Sequence, residues 1–433
     1  MAGLHSTLRA ARPALVLLAL ALAACGSSST GPVATASAST SIVPSLVSSP
    51  APGSPSASPT APATGSAALS ACESGAPASP QFPASGPPVA VVRDQTPEQI
   101  VELVDAQGDV LNQATTDVSS GPFPVGVGPD GVFLYHQDTG EMDLLGESGQ
   151  PQDLGLTAPG QGDDPATSAA ESPNGRCWIL SLATWSGQGT EMSATTHLYI
   201  GIRGKAPTLA ATFSRANTVS NGTWGGGFPV LRWDAAGVLL GSSPTDVGGA
   251  GPFIGEDYSL ANVVRYDPGT GAVSSPLCAL GNAARFADAA TDGSVACVTG
   301  EGSDARITVT HTDGTQSTID TEAPYAGQVA FVAGSSTLTF STSFGSTEGG
   351  GAWTDTLWTA TLSAPSALPQ TLRSGDQASW DESGSAPQKL IGSSSIVELG
   401  APSSSAPTSL VTIDLGSGKA TTIGPADGIL GVL

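Results

Sequence analysis

Apolar residues in the body of this chain fall in short runs and in every-other-residue alternation, with hardly any stretch at helical spacing. Val132-Phe133-Leu134-Tyr135, Cys177-Trp178-Ile179-Leu180, Val238-Leu239-Leu240 and Val295-Ala296-Cys297-Val298 are continuous apolar runs. Each is preceded by a turn: Gly128-Pro129-Asp130-Gly131, Ser172-Pro173-Asn174-Gly175, Asp234-Ala235-Ala236-Gly237 and Ala290-Thr291-Asp292-Gly293. Proline sets φ at the first turn position and glycine accepts the left-handed one, so these segments predict tight hairpins. Weaker versions stand at Ala333-Gly334-Ser335-Ser336 and Gly392-Ser393-Ser394-Ser395. Alternating segments follow, among them His197-Leu198-Tyr199-Ile200, Val263-Val264-Arg265-Tyr266, Ile307-Thr308-Val309-Thr310 and Leu410-Val411-Thr412-Ile413. These run into a second set of turns at Glu147-Ser148-Gly149, Arg203-Gly204-Lys205, Pro268 to Gly271, Thr312-Asp313-Gly314 and Gly416-Ser417-Gly418. The repeating unit is therefore four antiparallel strands, A to D, with tight A–B and C–D turns.

Six such units are expected at 123–156, 165–213, 228–280, 284–320, 327–374 and 388–424. Before them, Val89 to Val92, Ile100 to Val104 and Val110-Leu111 supply three strands that lack an A strand, although Pro97 to Leu103 also has the composition for a turn or two of helix. After them, Gly428 to Leu433 supplies one strand with nothing following. Joining that strand to the first three completes a seventh unit and removes two exposed sheet edges. The expected fold is all-β: a seven-bladed β-propeller of four-stranded antiparallel blades over 86–433, closed by the C-terminal strand in the first blade. Two β-sandwich domains are the competing arrangement, but they leave the orphan strands at both ends unexplained.

The N-terminal region has a different character. Arg9 and Arg12 precede an apolar stretch that runs only from Ala14 to Ala24, whereas a bilayer-crossing helix needs ~20 residues. It reads as a cleavable signal, residues 1–24. The tetrad Leu22-Ala23-Ala24-Cys25 resembles the bacterial lipobox, and the resemblance implies that Cys25 carries lipid and begins the mature protein. One acyl chain binds a membrane marginally, so the two or three chains implied for such a lipoprotein are what hold it. The implied location is the extracytoplasmic side of the cell membrane. Gly26 to Cys72 contains no charged residue and is mostly Ser, Thr, Ala and Pro. It cannot bury enough apolar surface to offset its conformational entropy, so 25–85 is expected to be a lipidated, disordered tether with a coil reach of about 35–40 Å.

Charge narrows the partners. Asp and Glu number 37 against 14 Lys and Arg, and loss of Arg9 and Arg12 with the leader takes the formal charge from −23 to −25. So acidic a body repels phosphate backbones, which disfavours nucleic acid. Besides Cys25, the cysteines are Cys72, Cys177, Cys278 and Cys297. An even number without C-x-x-C spacing in an exported chain favours disulfides. Three pairings are open, of which Cys278 with Cys297 and Cys72 with Cys177 is preferred, with buried free thiols the alternative.

Motifs for chemistry are weak. Gly126-Val127-Gly128-Pro129-Asp130-Gly131 matches the dinucleotide fingerprint in letters, but a strand rather than a helix is expected after it. Gly418-Lys419 lacks the remainder of a phosphate loop, and there is no G-x-S-x-G or H-E-x-x-H. Asn221-Gly222-Thr223 fits a glycosylation sequon, idle behind a bacterial-type lipobox. His136, His197 and His311 fall on strands of different units, and Asp163 and Asp164 are the remaining metal candidates, so neither a metal nor a cofactor is expected. The long connections are B–C and D–A, which emerge together on one face, and they hold Trp185, Trp224, Phe253, Tyr258, Trp353 and Trp380. Exposed aromatics on loops held by a rigid scaffold suit ligand binding, although the same residues could fill small cores of the loops themselves.

The Pro-Asp-Gly and Ser-Pro-Asn-Gly turns resemble those of TolB-type bacterial propellers, which carry Ser-Pro-Asp-Gly between their first two strands. That resemblance implies fold alone, with no Tol-system partner. The expected function is a monomeric binding or scaffolding propeller for a protein, peptide or glycan. The alternative is a propeller hydrolase or lyase with a polar site at the channel mouth, for which Glu171, Arg232, Asp234, Arg285, Asp288 and Lys389 are the inner-strand candidates.

Overall fold

The computed structural model describes Cys72 and, apart from several connecting segments, residues 88–433. The leader, Cys25 and nearly all of 25–85 lie outside the described residues. What is described is all-β. The chain enters through β1 (Val89–Gln95), β2 (Glu98–Val104) and β3 (Val110–Asp117). Four sheets of four strands and one of three follow. They are β4 (Phe123–Gly128), β5 (Gly131–His136), β6 (Glu141–Leu145), β7 (Gln152–Thr157); β8 (Thr167–Glu171), β9 (Cys177–Ser186), β10 (Ser193–Ile202), β11 (Thr208–Ala216); β12 (Val230–Asp234), β13 (Gly237–Ser242), β14 (Asn262–Tyr266); β15 (Ala287–Ala289), β16 (Val295–Thr299), β17 (Arg306–Thr310), β18 (Gln316–Asp320); and β19 (Tyr325–Phe331), β20 (Thr337–Phe344), β21 (Thr354–Thr361), β22 (Gln370–Asp376). A last set of four, β23 (Gln388–Lys389), β24 (Ser395–Gly400), β25 (Ser409–Asp414) and β26 (Ala420–Pro425), precedes β27 (Gly428–Val432).

Strand β27 does not stand alone. It pairs antiparallel with β1, Val89 opposite Val432 and Val91 opposite Ile429, to give the order β27-β1-β2-β3. With that sheet counted first, the described residues form seven antiparallel sheets, and the six expected units coincide with the second to the seventh. The segment 98–104 is a strand, not a helix: it pairs with β1 on one side and β3 on the other, with 101–104 buried, whereas one or two turns of helix would be too short to be stable. The fourth sheet has three strands where four were expected. Its outer edge continues only as backbone bonds, from Ser274 N–H to Arg265 C=O and from Leu277 N–H to Val263 C=O at 2.8 Å each.

The core lies between sheets, and the apolar runs explain how. Successive side chains of a strand point to opposite faces. In β1, Val89 and Val91 pack with Leu410 and Ala426 of the seventh sheet's side, while Ala90 faces the other way onto Val132 and Leu134 of the second. In β5, Phe133 and Tyr135 turn from the first sheet to meet Ala169, Trp178 and Leu180 of the third. Ile179 and Ile200 then meet Val238, Leu240 and Tyr266 of the fourth, and Leu239 meets Val295 and Cys297 of the fifth. Ala296 and Val298 meet Phe331 and Phe340 of the sixth, whose Leu357 meets Ile413 of the seventh. Each sheet is thus covered on both faces by its neighbours in sequence. The first strands run side by side in the same order: β27, β4, β8, β12, β15, β19, β23 and β27 again.

Candidate functional site

The first strand of each sheet brings backbone and charged groups of adjacent sheets into contact. On β4, Gly126 and Gly128 share one face because they are two residues apart. A Cβ at Gly126 would sit 1.9 Å from the Ala169 carbonyl oxygen, and one at Gly128 would sit 2.4 Å from Glu171 Cβ. The missing side chains let β8 approach. Glu171, at the end of β8, is buried and its Oε2 accepts the Asp130 backbone N–H at 3.1 Å from the A–B turn of the second sheet. Between the third and fourth sheets, Ser168 Oγ accepts the Val230 N–H at 2.7 Å, and Ser181 Oγ donates to the Phe228 carbonyl at 2.8 Å.

The densest charge lies where the fourth, fifth and sixth sheets meet. Asp234, at the end of β12, has a side chain only 4% exposed; its Oδ1 is 2.6 Å from Arg265 Nη1 on β14 and accepts the Ala236 N–H at 2.8 Å. Arg265 Nη2 donates to the carbonyl of Gly293 at 3.0 Å, in the A–B turn of the fifth sheet. Arg232 Nη1 donates to the Ala289 carbonyl at 2.7 Å and lies 3.6 Å from Asp288 Oδ1. Asp288 Oδ2 in turn accepts the Phe331 N–H of the sixth sheet at 2.7 Å. Every one of these acids accepts from a backbone amide, and each of these bonds or the arginine beside it reaches across to the next sheet. General acid–base work needs a carboxyl facing the reacting atom. These carboxyls face the seams.

The expected site residues are placed as follows. Glu171, Arg232, Asp234 and Asp288 are in the contacts just described, spread over three seams: second with third, fourth with fifth, and fifth with sixth. Arg285 and the side chain of Lys389 lie outside the described residues. So do Trp224, Phe253, Tyr258, Trp353 and Trp380; Trp185 belongs to β9, but its side chain is likewise undescribed. The B–C connections differ in length: 96–97 between β1 and β2 and 137–140 between β5 and β6 are short, whereas 243–261, 345–353 and 401–408 are longer. Trp358, on β21, stacks on Phe340 at 6.4 Å and donates from Nε1 to Thr342 Oγ1 at 2.7 Å, an internal role.

The histidines pair across strands of their own sheets. His136 Nε2 is 3.0 Å from Asp143 Oδ2, His197 Nδ1 3.2 Å from Thr212 Oγ1, and His311 Nε2 2.8 Å from Ser317 Oγ. Among the described residues no cluster of three or more His, Cys, Asp or Glu could hold a metal ion, and no helix is long and apolar enough to cross a membrane. Gly126 to Gly131 runs from strand through turn to strand, so the glycine fingerprint has no helix to open. Burial pushes the Tyr266 hydroxyl up to about 12, helped by the nearby charge of Asp267; this hydroxyl donates to the Ala210 carbonyl at 3.3 Å between the third and fourth sheets.

Cys72 is joined to Cys177, the first residue of β9. Cys297 is also in a disulfide, and Cys278 lies outside the described residues. The A–B turn at 172–175 was legible as a turn, but its asparagine was not legible as a contact. Asn174 Nδ2 donates to the carbonyl of Cys72, its Oδ1 accepts the Ser172 hydroxyl at 2.8 Å, and that same Oδ1 accepts the Arg176 N–H at 3.0 Å. The signal was the amide in place of the aspartate found at 130 and 292. Only an amide can donate to a carbonyl there. Arg265 was missed because its partners sit 31 and 28 residues away in sequence.

No family model matches the chain, and no curated protein matches it. Solved structures similar to it include a functionally unknown protein from Desulfotomaculum acetoxidans, at TM-score 0.48 and 11% identity, covering 80% of this chain and 98% of that one. The RRP9 WD40 repeats match at TM-score 0.42 and 14% identity, over 81% of this chain and 88% of theirs. A prolyl endopeptidase structure matches at TM-score 0.40 and 13% identity, over 79% of this chain and 50% of that one. At these scores and identities the neighbours assign this chain neither substrate nor partner.

Proposed function

We propose that residues 86–433 close into a seven-bladed β-propeller of the TolB-like kind, and that this propeller is a binding or scaffolding module for a protein, peptide or glycan. It is anchored through lipid on Cys25 at the extracytoplasmic side of the cell membrane. The observation that carries the binding reading is the use made of the inner-strand charges. Glu171, Asp234 and Asp288 are each engaged with the backbone or arginines at the seams between sheets, which suits a rigid scaffold more than a reacting group. Closure is supported by the cyclic order of the first strands and by apolar layers between each successive pair of sheets. Anchorage is supported by Leu22-Ala23-Ala24-Cys25, and an oxidising compartment by the Cys72–Cys177 disulfide.

Affinity capture with the full-length chain from native membranes tests the function. A stoichiometric protein, peptide or glycan partner is the expected recovery. Turnover of a small ester, peptide or glycoside at a rate that Glu171→Gln or Asp288→Asn abolishes, with the fold intact by circular dichroism, would overturn it in favour of a hydrolase or lyase. In the same preparation Cys25→Ser is expected to move the protein from the membrane to the soluble fraction while leaving its thermal unfolding unchanged. Retention of the variant on the membrane would remove the lipid from the account.

A further inference from the structure

The described residues fix the chain's N-terminal side to the propeller at two points, and both are at one end of the sheets. The first is Cys72, which is 4% exposed, packed in the apolar layer with Phe213, Phe228 and Trp233, and bonded to Cys177 just beyond the A–B turn of the third sheet. Asn174 of that turn donates to its carbonyl. The second is the start of β1. Leu433 N–H donates to the Pro88 carbonyl at 3.0 Å, and Val89 stands opposite Val432, so the chain enters where β27 ends and β1 begins, which is the A–B end of the first sheet. In an antiparallel meander the A–B and C–D connections share one end, and the B–C and D–A connections share the other.

We infer that the molecule is held by its tight-turn end, with Cys72 as the fastening point. The opposite end, with the connections 158–166, 217–227, 243–261, 345–353 and 377–387, is then turned away from whatever surface holds the N-terminus. In the sequence those connections contain Trp224, Phe253, Tyr258, Trp353 and Trp380. Fastening at Cys72 leaves residues 26–71, the tether read from the sequence, as the span to the anchor, and a coil of that many residues reaches about 35–40 Å. A leash no longer than the width of a domain of this size keeps its own end of that domain nearer the attachment surface on average. The orientation rests on the proposed propeller for treating the A–B ends as one face. It rests on the tether reading of 26–71 for the length of the leash, and on lipid at Cys25 for calling the attachment surface a membrane.

Energy transfer in lipid vesicles tests it. A donor dye is placed on the full-length protein at Glu147→Cys, in the exposed C–D turn of the second sheet, or at Ser346→Cys, in a B–C connection, with an acceptor on the lipid headgroups. Transfer from position 147 is expected to exceed that from 346 at least twofold. Equal or reversed transfer overturns the orientation. Running Cys25→Ser beside it separates the two readings, since loss of anchorage abolishes both signals, whereas a wrong orientation changes only their order. The fastening has its own readout: Asn174→Asp removes the donor to Cys72, and reduction of the Cys72–Cys177 disulfide by external thiol in the native protein is expected to quicken about tenfold. An unchanged rate, with circular dichroism and melting preserved, would show that Asn174 holds nothing.

Discussion

Gly126 owes its place to a neighbour 43 residues along the chain, since a methyl group there would meet the Ala169 carbonyl oxygen at 1.9 Å. A backbone atom cannot swing aside as a side chain does, so Gly126→Ala must push two sheets apart. Its expected cost is about 3 kcal/mol in urea denaturation, at the upper end for overpacking. Gly424→Ala, where nothing lies within 4 Å and φ is ordinary, is expected to stay within about 0.5 kcal/mol of the parent. Arg265→Ala leaves Asp234 buried beside the seam without its cation, which should lower stability by about 3 kcal/mol or more. Tyr266 gives a sign that pH can read. Its neutral form is favoured in the folded state, so its contribution is intact below pH 10.0 and lost as pH climbs towards about 12. Tyr266→Phe is expected to flatten the alkaline decline of the melting temperature in that window; an equally steep decline would assign the loss to other groups.

At the scale of elements, what was legible in the sequence was whatever is decided locally. The turns at 128–131, 172–175 and 290–293 carry proline, glycine and Asx residues whose backbone preferences act over four positions, and Gly175 and Gly293 do take φ of 65° and 90°. Continuous apolar runs at 132–135 and 177–180 marked strands, as found in β5 and β9. The three-strand pairing of the fourth sheet among the described residues and the seam contacts were not legible. Whether 272–277 pairs as a strand or only by scattered bonds depends on the length of its neighbour, and whether Arg265 finds Asp234 or solvent depends on how two sheets are set beside each other. The candidate aromatics lie, all but Trp185, on connections outside the described residues, where pattern has no period to read. The Cys72–Cys177 bond joins elements 105 residues apart. Cys72→Ser with Cys177→Ser is expected to lower unfolding stability by about 4 kcal/mol under oxidising conditions and to reduce the sensitivity of the melting temperature to reductant, what remains belonging to the disulfide at Cys297.

For the whole molecule, the central claim is that the two ends of the chain meet in one sheet and close the set of seven. Without that pairing β1 would present a bare strand edge, and Val89, Val91 and Leu410 would lose Ile429 from their apolar layer. Such surfaces aggregate. The most direct measurement is a cysteine pair in the β1–β27 register, Val91→Cys with Ile429→Cys, examined by mass spectrometry after mild oxidation without denaturant. The account predicts an intramolecular disulfide in a monomer that melts at a higher temperature than its reduced form, and no bond for the off-register pair Val91→Cys with Leu430→Cys. Two free thiols at 91 and 429 in a folded protein, or a bond formed only between two chains, would contradict it.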